Sequence, residues 1–487
     1  MCSSVATMRI LHVASEATGL VKTGGLADVA AGLARAQRDA GDDVRLLLPA
    51  YRGCAELADA TGLYSLGDPL GGGPTRLLEG RLPGTEVPVW LVDAPNLYDR
   101  DGGPYLDPHG HDYADNPLRF ALLGRVAAML SIAGPALGWA PDVVHAHDWQ
   151  ASLAPATLHW WGGARPGTVT TVHNLRFQGR FSPDVVPIVG LPAAAYALEG
   201  AEAYGTFSFL KAGLFYADRI TTVSPTYAEE IQSEAGGEGL HGLLRSRSAR
   251  LHGLLNGIDE TAWDPRCDPA LHTAFGPQSL GPRAANKRAL QRRFGLDEEG
   301  DVPLVGLVSR LSDQKGIDLL LAAIPQLLSS PLQVVVLGSG DPILEEALRE
   351  LARQHPTRVG VNIGYDEALS HQVFAGSDLF VVPSRFEPCG LTQMYAMRYG
   401  ALPVVRNTGG LADTVTDVSA GGCGFTFESI DADALREAMR RALEVYADRD
   451  RWRRLQLQAM RRSFGWGNAA AGYRDVYSAA IADASST

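Results

Sequence analysis

Two α/β domains, each built on a parallel sheet wound on both faces by helices, are predicted by three observations. The first is a near-repeat: Thr23-Gly24-Gly25-Leu26-Ala27-Asp28-Val29 returns as Thr408-Gly409-Gly410-Leu411-Ala412-Asp413-Thr414-Val415. Each copy follows an apolar run that reads as a buried strand, Ile10 to Ala14 and Leu402 to Val405, and each opens a helix. The second is an alternation of strand and helix patterns in both halves of the chain, the rhythm of parallel βαβ units. The third is length, since 487 residues exceed a single core and fit two domains of the doubly wound kind.

In the first half, strands are expected at Arg9 to Ala14, Asp43 to Leu48, Asp142 to His145, Thr168 to Val172 and Arg219 to Val223, with a helix from Leu26 to Ala40. Gly71-Gly72-Gly73 reads as a short connection inside this domain. A stretch from about Arg245 to Phe294 then breaks the rhythm with Asn256-Gly257, Asp264-Pro265, Asp268-Pro269 and Gly281-Pro282, and the interdomain connection is placed there. Strands resume at Leu304 to Val308, Gln333 to Leu337, Val359 to Ile363, Leu379 to Val382 and Leu402 to Val405.

The chain is 46% hydrophobic and 20% charged, and no apolar run approaches the length of a membrane span. The first seven residues, Met1 to Thr7, lack the basic start and apolar stretch of a secretory signal. Cys2, Cys54, Cys267, Cys389 and Cys423 are scattered with no C-x-x-C pair, which argues against a disulfide framework or zinc ribbon and for a reducing cytoplasm. A net charge of −12 argues against nucleic acid or an anionic membrane as partner. An anionic ligand would then need local cations beside glycine-rich turns. Lys22 before Gly24-Gly25 is one such cluster; Arg310 with Lys315, between the strand Leu304 to Val308 and a helix carrying Ile317, Leu320, Leu321 and Ile324, is the other.

Paired glycines at a strand-to-helix junction let backbone N–H groups converge on an anion, or simply turn the chain tightly; both readings stand for the second copy. In Val144-His145-Ala146-His147-Asp148-Trp149 alternate residues share a face, so His145 and His147 offer two imidazoles to a metal; without a third ligand, packing and hydrogen bonding at a sheet edge is the expectation. Thr171-Val172-His173-Asn174 supplies an imidazole and an amide suited to sugar hydroxyls, or a satisfied structural histidine. The most specific stretch is Val382-Pro383-Ser384-Arg385-Phe386-Glu387-Pro388-Cys389-Gly390-Leu391-Thr392-Gln393, a strand, a bracketed turn and a helix start. There Glu387 either faces a sugar while the N–H groups of Gly390, Leu391 and Thr392 hold phosphates, or is a solvated turn residue or helix-dipole partner. Asp431-Ala432-Asp433 and Asp99-Arg100-Asp101 resemble metal-binding Asp-x-Asp elements but read as a helix start and a turn.

At these residues the chain resembles the bacterial glycogen synthases, the ADP-glucose-using starch and glycogen synthases of the two-domain GT-B architecture. Besides the stretches above, the resemblance rests on Ser224-Pro225-Thr226-Tyr227, Leu255-Asn256-Gly257, Gly338-Ser339-Gly340-Asp341 and Gly364-Tyr365, and it spans roughly residues 8 to 480. It implies two doubly wound Rossmann-like domains facing a central cleft: residues 1–252 on the acceptor side, completed by a C-terminal helix 468–487, and residues 253–467 binding the nucleotide sugar. It also implies a cytoplasmic retaining transferase, free of cofactor and metal, that moves glucose from ADP-glucose to the non-reducing 4-hydroxyl of glycogen or a malto-oligosaccharide.

Carried over, Lys22 and Gly24-Gly25 would contact the distal phosphate, and Arg310 and Lys315 would neutralise the departing diphosphate. His173 would bond the transferred glucose, by its 6-hydroxyl, with Glu387 facing the ring, Asn256 helping to hold it and Asn174 beside it. Tyr365 would stack on adenine, with Cys389, Gly390, Leu391 and Thr392 near phosphates and ribose. Asp28, Tyr98, Asp148 and Trp149 would lie on the acceptor or sugar side. Two departures from the family pattern, Gln150 in place of a common histidine and Arg176-Phe177 in place of a small residue and tyrosine, bear on acceptor length rather than reaction class. Three rivals remain: the same architecture with UDP-glucose or another acceptor, a phosphorylase with lysine-bound pyridoxal phosphate, and a silent glucan-binding protein.

Overall fold

The computed structural model describes residues 7–134 and 138–486, which divide into two compact units. One comprises the chain up to Gly257 together with the segment from Trp466 onward; the other is Ile258–Gly465.

The first unit's strands are β1 (Arg9–Val13), β2 (Asp43–Pro49), β3 (Thr61–Gly67), β4 (Thr75–Arg81), β5 (Pro88–Asp93), β6 (Val143–His147), β7 (Gly167–Val172), β8 (Arg180–Phe181), β9 (Glu202–Ala203), β10 (Thr206–Ser208), β11 (Arg219–Thr222) and β12 (Leu251–Gly253). Nine form one sheet in the order β12-β11-β7-β6-β1-β2-β5-β4-β3, all running the same way except β4, which pairs antiparallel with both β5 and β3, while β8, β10 and β9 make a small separate sheet. Because β1 pairs in parallel with both β2 and β6, the winding reverses between β1 and β6. In such sheets ligands bind outside the carboxyl ends of the strands at that reversal.

Local sequence explains the layers. The helix Gly25–Asp39 buries Leu26, Val29, Ala30, Leu33 and Ala34, a stripe at helical spacing, against the sheet. Buried threonines in β7 are satisfied internally: Thr168 donates both its N–H and its hydroxyl to the Asp218 carboxylate at 2.8 Å. The final helix Gly467–Ser485 belongs to this unit, with Tyr473, Tyr477 and Ala480 fully or almost fully buried and Arg474 paired to Asp42 at 2.5 Å. The first unit runs a few residues beyond position 252 because β12 pairs in parallel with β11, Leu251 opposite Ile220.

The second unit holds a six-stranded parallel sheet of β13 (Leu304–Val308), β14 (Gln333–Gly338), β15 (Val359–Ile363), β16 (Leu379–Val382), β17 (Leu402–Arg406) and β18 (Phe425–Phe427). Its order, β15-β14-β13-β16-β17-β18, is the dinucleotide-fold order 3-2-1-4-5-6 with the reversal between β13 and β16. The turn-rich stretch after Gly257 is tied down here, where the Asp268 carboxylate accepts from Tyr399 at 2.5 Å and meets His371 at 2.6 Å.

Candidate active site

In the second unit the loops after β13 and β16 meet at the sheet reversal. Gly316 takes φ +65°, and a Cβ there would lie 2.1 Å from the Pro383 carbonyl oxygen, so only glycine permits this approach. Arg385 N–H donates to the Gln314 carbonyl at 2.8 Å, and the Arg385 guanidinium grips Asp318 with two bonds of 2.7 and 2.6 Å. From β17, Arg406 donates to the carbonyls of Ser384 and Arg385. Held this way, Lys315 reaches the Glu387 carboxylate at 2.6 Å, and Ser384 donates to the same oxygen at 2.8 Å. The Glu387 and Lys315 side chains are 8% and 18% exposed, which removes the reading of Glu387 as a solvated turn residue.

Arg310, just past β13, is exposed and without an ion pair among the described residues, and the turn carrying Glu387 leads into the short helix Thr392–Arg398, whose N-cap Leu391 has no side-chain cap. Gly390 takes φ +68° and Cys389 is buried; both give their carbonyls to the Gln393 amide. Tyr365, 74% exposed, follows β15 at the same carboxyl edge. The second glycine pair supports the turn instead of presenting amides. Gly410 N–H is taken by the Glu387 carbonyl at 3.0 Å, and Cβ atoms on Gly409 and Gly410 would fall 2.1 and 2.0 Å from the carbonyl oxygens of Glu387 and Cys389.

In the first unit the corresponding reversal gathers the loops after β1, β6, β7 and β12. Glu16, buried and absent from the sequence-based site, accepts from Thr23 N–H at 2.5 Å, Thr23 Oγ1 at 2.6 Å, Gly24 N–H at 3.3 Å and the Tyr105 hydroxyl. An internal carboxylate thus occupies part of the amide cradle that sequence assigns to a ligand. Gly24 has extended φ and nothing within 4 Å of a notional Cβ, leaving open space before Gly25, where the helix begins. Lys22 pairs with Asp28 at 2.8 Å, and Thr18 donates to the same oxygen.

His173 and Asn174 follow β7, and Asp148 follows β6 with φ +55°. The Asp148 carboxylate accepts from His173 N–H at 2.7 Å. Burial pushes its carboxyl up to about 7, against the pull of the backbone N–H groups of His173 and Asn174. Burial also holds the His173 imidazole down at about 3, so it is neutral at physiological pH. Asn256, just past β12 and 5% exposed, has a buried Oδ1 without a hydrogen-bond partner among the described residues, and Gln150 Oε1 is in the same condition. Such atoms are acceptors awaiting a donor.

One expected ligand contact is structural, and another, part-exposed, also packs against the core. Tyr98 is 1% exposed, its hydroxyl donating to the Arg119 carbonyl at 2.6 Å, so it belongs to the core. Trp149 packs in an aromatic cluster, with ring centroids 4.9 Å from Phe120, 5.7 Å from Phe181 and 5.9 Å from Phe209. Both Asp-x-Asp elements also have structural explanations: Asp431 caps the helix Ala432–Ala447 through Ala434 N–H, and Arg52 pairs with Asp99 and Asp101.

Comparison with known proteins fits this geometry. Residues 9–246 match the starch synthase catalytic domain family and residues 290–456 match glycosyl transferases group 1. The chain is 51% identical to a glycogen synthase of Paramagnetospirillum magneticum, covering 96% of this chain and 97% of that one. The chain belongs to the bacterial glycogen synthase family. A second glycogen synthase, from Rhodospirillum rubrum, is 48% identical over 97% of this chain and 99% of its own length. Among solved structures, the catalytic domain of starch synthase IV from Arabidopsis thaliana bound to ADP and acarbose superposes with a TM-score of 0.89 at 33% identity, covering 98% of this chain and all of that one. A sucrose-phosphate synthase from Thermosynechococcus elongatus, 18% identical with a TM-score of 0.60, shares the fold.

Within this glycogen synthase architecture, sequence reasoning missed Glu16, Ser384 and the buried His12 with Gln37. Ser384 lies in the turn between β16 and Glu387 and Glu16 just before the Lys22 loop, so a polar residue at a strand's carboxyl end is the available signal. His12 and Gln37 have no local signal, because their partners lie on other strands and helices.

Proposed function

We propose that the chain transfers glucose from ADP-glucose to the non-reducing 4-hydroxyl of an α-1,4-glucan with retention of anomeric configuration. The observation that carries this reading is the Lys315–Glu387 ion pair at the sheet reversal of a dinucleotide-type domain, in a chain half identical to glycogen synthases over nearly its whole length. The second unit is read as the donor-holding domain. Arg310 and Lys315 neutralise the leaving diphosphate, Gly390, Leu391 and Thr392 offer backbone N–H groups to it, and Tyr365 stacks on the base. The first unit is read as the acceptor-side domain, with Lys22 and the Gly24-Gly25 turn toward the distal phosphate, and His173, Asn174, Asn256 and Asp148 toward sugar. That the Arabidopsis domain is bound to ADP and acarbose supports ADP as the nucleotide. No helix among the described residues is long and apolar enough to cross a membrane, in keeping with a cytoplasmic site of action.

Breaking the bond between anomeric carbon and diphosphate builds negative charge on the leaving oxygens and positive charge on the sugar. Preorganised cations at the former are the largest expected catalytic term. Glu387 already holds Lys315 and Ser384 on one oxygen, which blunts it as a nucleophile and favours a stabilising role for its charge. The reaction then proceeds on one face of the sugar, the departing phosphate oxygen taking the acceptor's proton. Trapping a glucosylated Glu387 without acceptor would replace this with double displacement.

The test is transfer of labelled glucose from ADP-glucose, with UDP-glucose in parallel, onto glycogen in EDTA. Wild type transfers from ADP-glucose, while Lys315→Ala and Glu387→Gln each lose on the order of a hundredfold to a thousandfold in kcat. Wild type inert with both donors overturns the assignment.

A further inference from the structure

A chain of hydrogen bonds runs through the core of the first unit and ends on His173. The Gln37 amide, 1% exposed, places Nε2 3.0 Å from the Tyr477 hydroxyl and Oε1 2.7 Å from His12 Nε2. His12 Nδ1 lies 2.9 Å from His147 Nε2, and His147 Nδ1 lies 3.0 Å from His173 Nε2. A second branch goes from the Tyr477 hydroxyl to His145 Nδ1 at 2.8 Å, then from His145 Nε2 to Thr171 Oγ1 at 2.5 Å and on to Thr221 Oγ1 at 2.5 Å.

His12, His145 and His147 sit close enough to suggest a three-imidazole metal site, completing the pair that sequence offered. Every one of their six ring nitrogens is already engaged in the two branches. A relay therefore accounts for the cluster more fully than a cation does.

A neutral imidazole has one N–H and one lone pair, so each bond in such a chain dictates the next. The direction is set at Gln37. At 2.7 Å, the contact with His12 is short for a nitrogen–nitrogen bond and ordinary for N–H···O, whereas 3.0 Å to the tyrosine hydroxyl suits an amide nitrogen better than a second oxygen. Oε1 thus accepts from His12 Nε2–H; His12 Nδ1 accepts from His147 Nε2–H; His147 Nδ1 accepts from His173 Nε2–H. We propose that Gln37, acting through His12 and His147, fixes His173 in the tautomer that carries its proton on Nε2, so that Nδ1 meets the sugar as a hydrogen-bond acceptor. His173 is part-exposed, and Nδ1 has no partner among the described residues. Burial keeps all three relay imidazoles neutral, His12 at about 4 and His147 well below its ordinary value, so the one-proton-per-ring rule holds at physiological pH. Gln37, His12 and His147 are positioning residues; none touches substrate. The sugar contact rests on the proposed role of His173, whereas the tautomer does not.

The test labels histidine rings with nitrogen-15 and reads their tautomers by long-range proton–nitrogen correlation, His173→Asn identifying the His173 signals. Wild type shows a pyrrole-type Nε2 and a pyridine-type Nδ1 on His173. Gln37→Met, with no polar atom, gives a mixture, and kcat/KM falls with the competent fraction, about twofold if half the molecules reverse and about tenfold if nine in ten do. A proton on His173 Nδ1 in wild type, or an unchanged tautomer in Gln37→Met, overturns the proposal. If Gln37→Met does not fold, the wild-type tautomer decides it. A donor with fluorine in place of the 6-hydroxyl separates the two readings. Fluorine accepts but does not donate, so this donor loses the His173 contact; full activity with it, alongside the expected tautomer, sinks the sugar contact and leaves the relay standing.

Discussion

Lys315 and Glu387 show how one contact carries both stability and chemistry. Removing one member of a largely buried ion pair strands the other, at roughly 3 kcal/mol or more. Lys315→Ala should therefore lower the melting temperature as well as activity, and adding Glu387→Gln should restore much of the stability while leaving transfer absent. Denaturant unfolding beside the transfer assay checks this; recovery of activity in the double variant would show the pair to be structural. Glu16 makes a similar case in the first unit, where one carboxylate holds four donors around the Lys22 loop. Glu16→Gln puts an amide N–H2 against backbone N–H groups, and the expectation is a loss of about 2 kcal/mol in stability with a raised KM for ADP-glucose. An unchanged KM would detach Glu16 from the donor.

At the level of elements, the loop after β13 depends on Gly316. Alanine there meets both a left-handed backbone and a carbonyl at 2.1 Å, so Gly316→Ala should destabilise by roughly 1–3 kcal/mol and move Lys315. A displacement of about 1 Å at such a group lowers kcat on the order of a hundredfold. Wild-type kcat with only a lower melting temperature would mean that the loop relaxes without moving the cation. The strands themselves were legible because nearly continuous apolar runs such as Leu304 to Val308 mark parallel strands buried on both faces. The near-repeat of Thr-Gly-Gly was legible as a junction but not as a role: identical words serve an open helix start at Gly24 and a packed platform beneath Glu387 at Gly409-Gly410.

Across the whole molecule, three buried histidines, His12, His145 and His147, and the part-exposed His173 have imidazoles held below the ordinary 6.5 by desolvation. A lowered folded value gives stability that is complete above about 6.5 and is lost as pH falls toward the folded values, about 4 for His12 and about 3 for His173. For His12 alone this is on the order of 3 kcal/mol. Asp148 has the opposite sign: raised from 3.8 to about 7, it favours the fold at low pH and disfavours it as pH rises through 7. Melting temperature should therefore drop steeply below about pH 6. The advantage of Asp148→Asn over wild type should grow from pH 4 to 7. A flat profile through pH 5 would mean that these histidines already share protons in the folded state.

From sequence alone came the two parallel-sheet domains, the family, and the stretches holding Lys22, His173, Arg310, Lys315 and Glu387, because burial patterns, turn residues and charged groups near glycines are local and survive in one dimension. Tertiary structure alone decided which of those residues meet. It spent Tyr98 on packing, paired Lys315 with Glu387, put Glu16 into the amide cradle, and joined Gln37, His12, His147 and His173 across three strands and a helix. A hydrogen bond between residues more than a hundred positions apart is fixed by strand order and register, and those are properties of the packed sheet rather than of any segment of the chain.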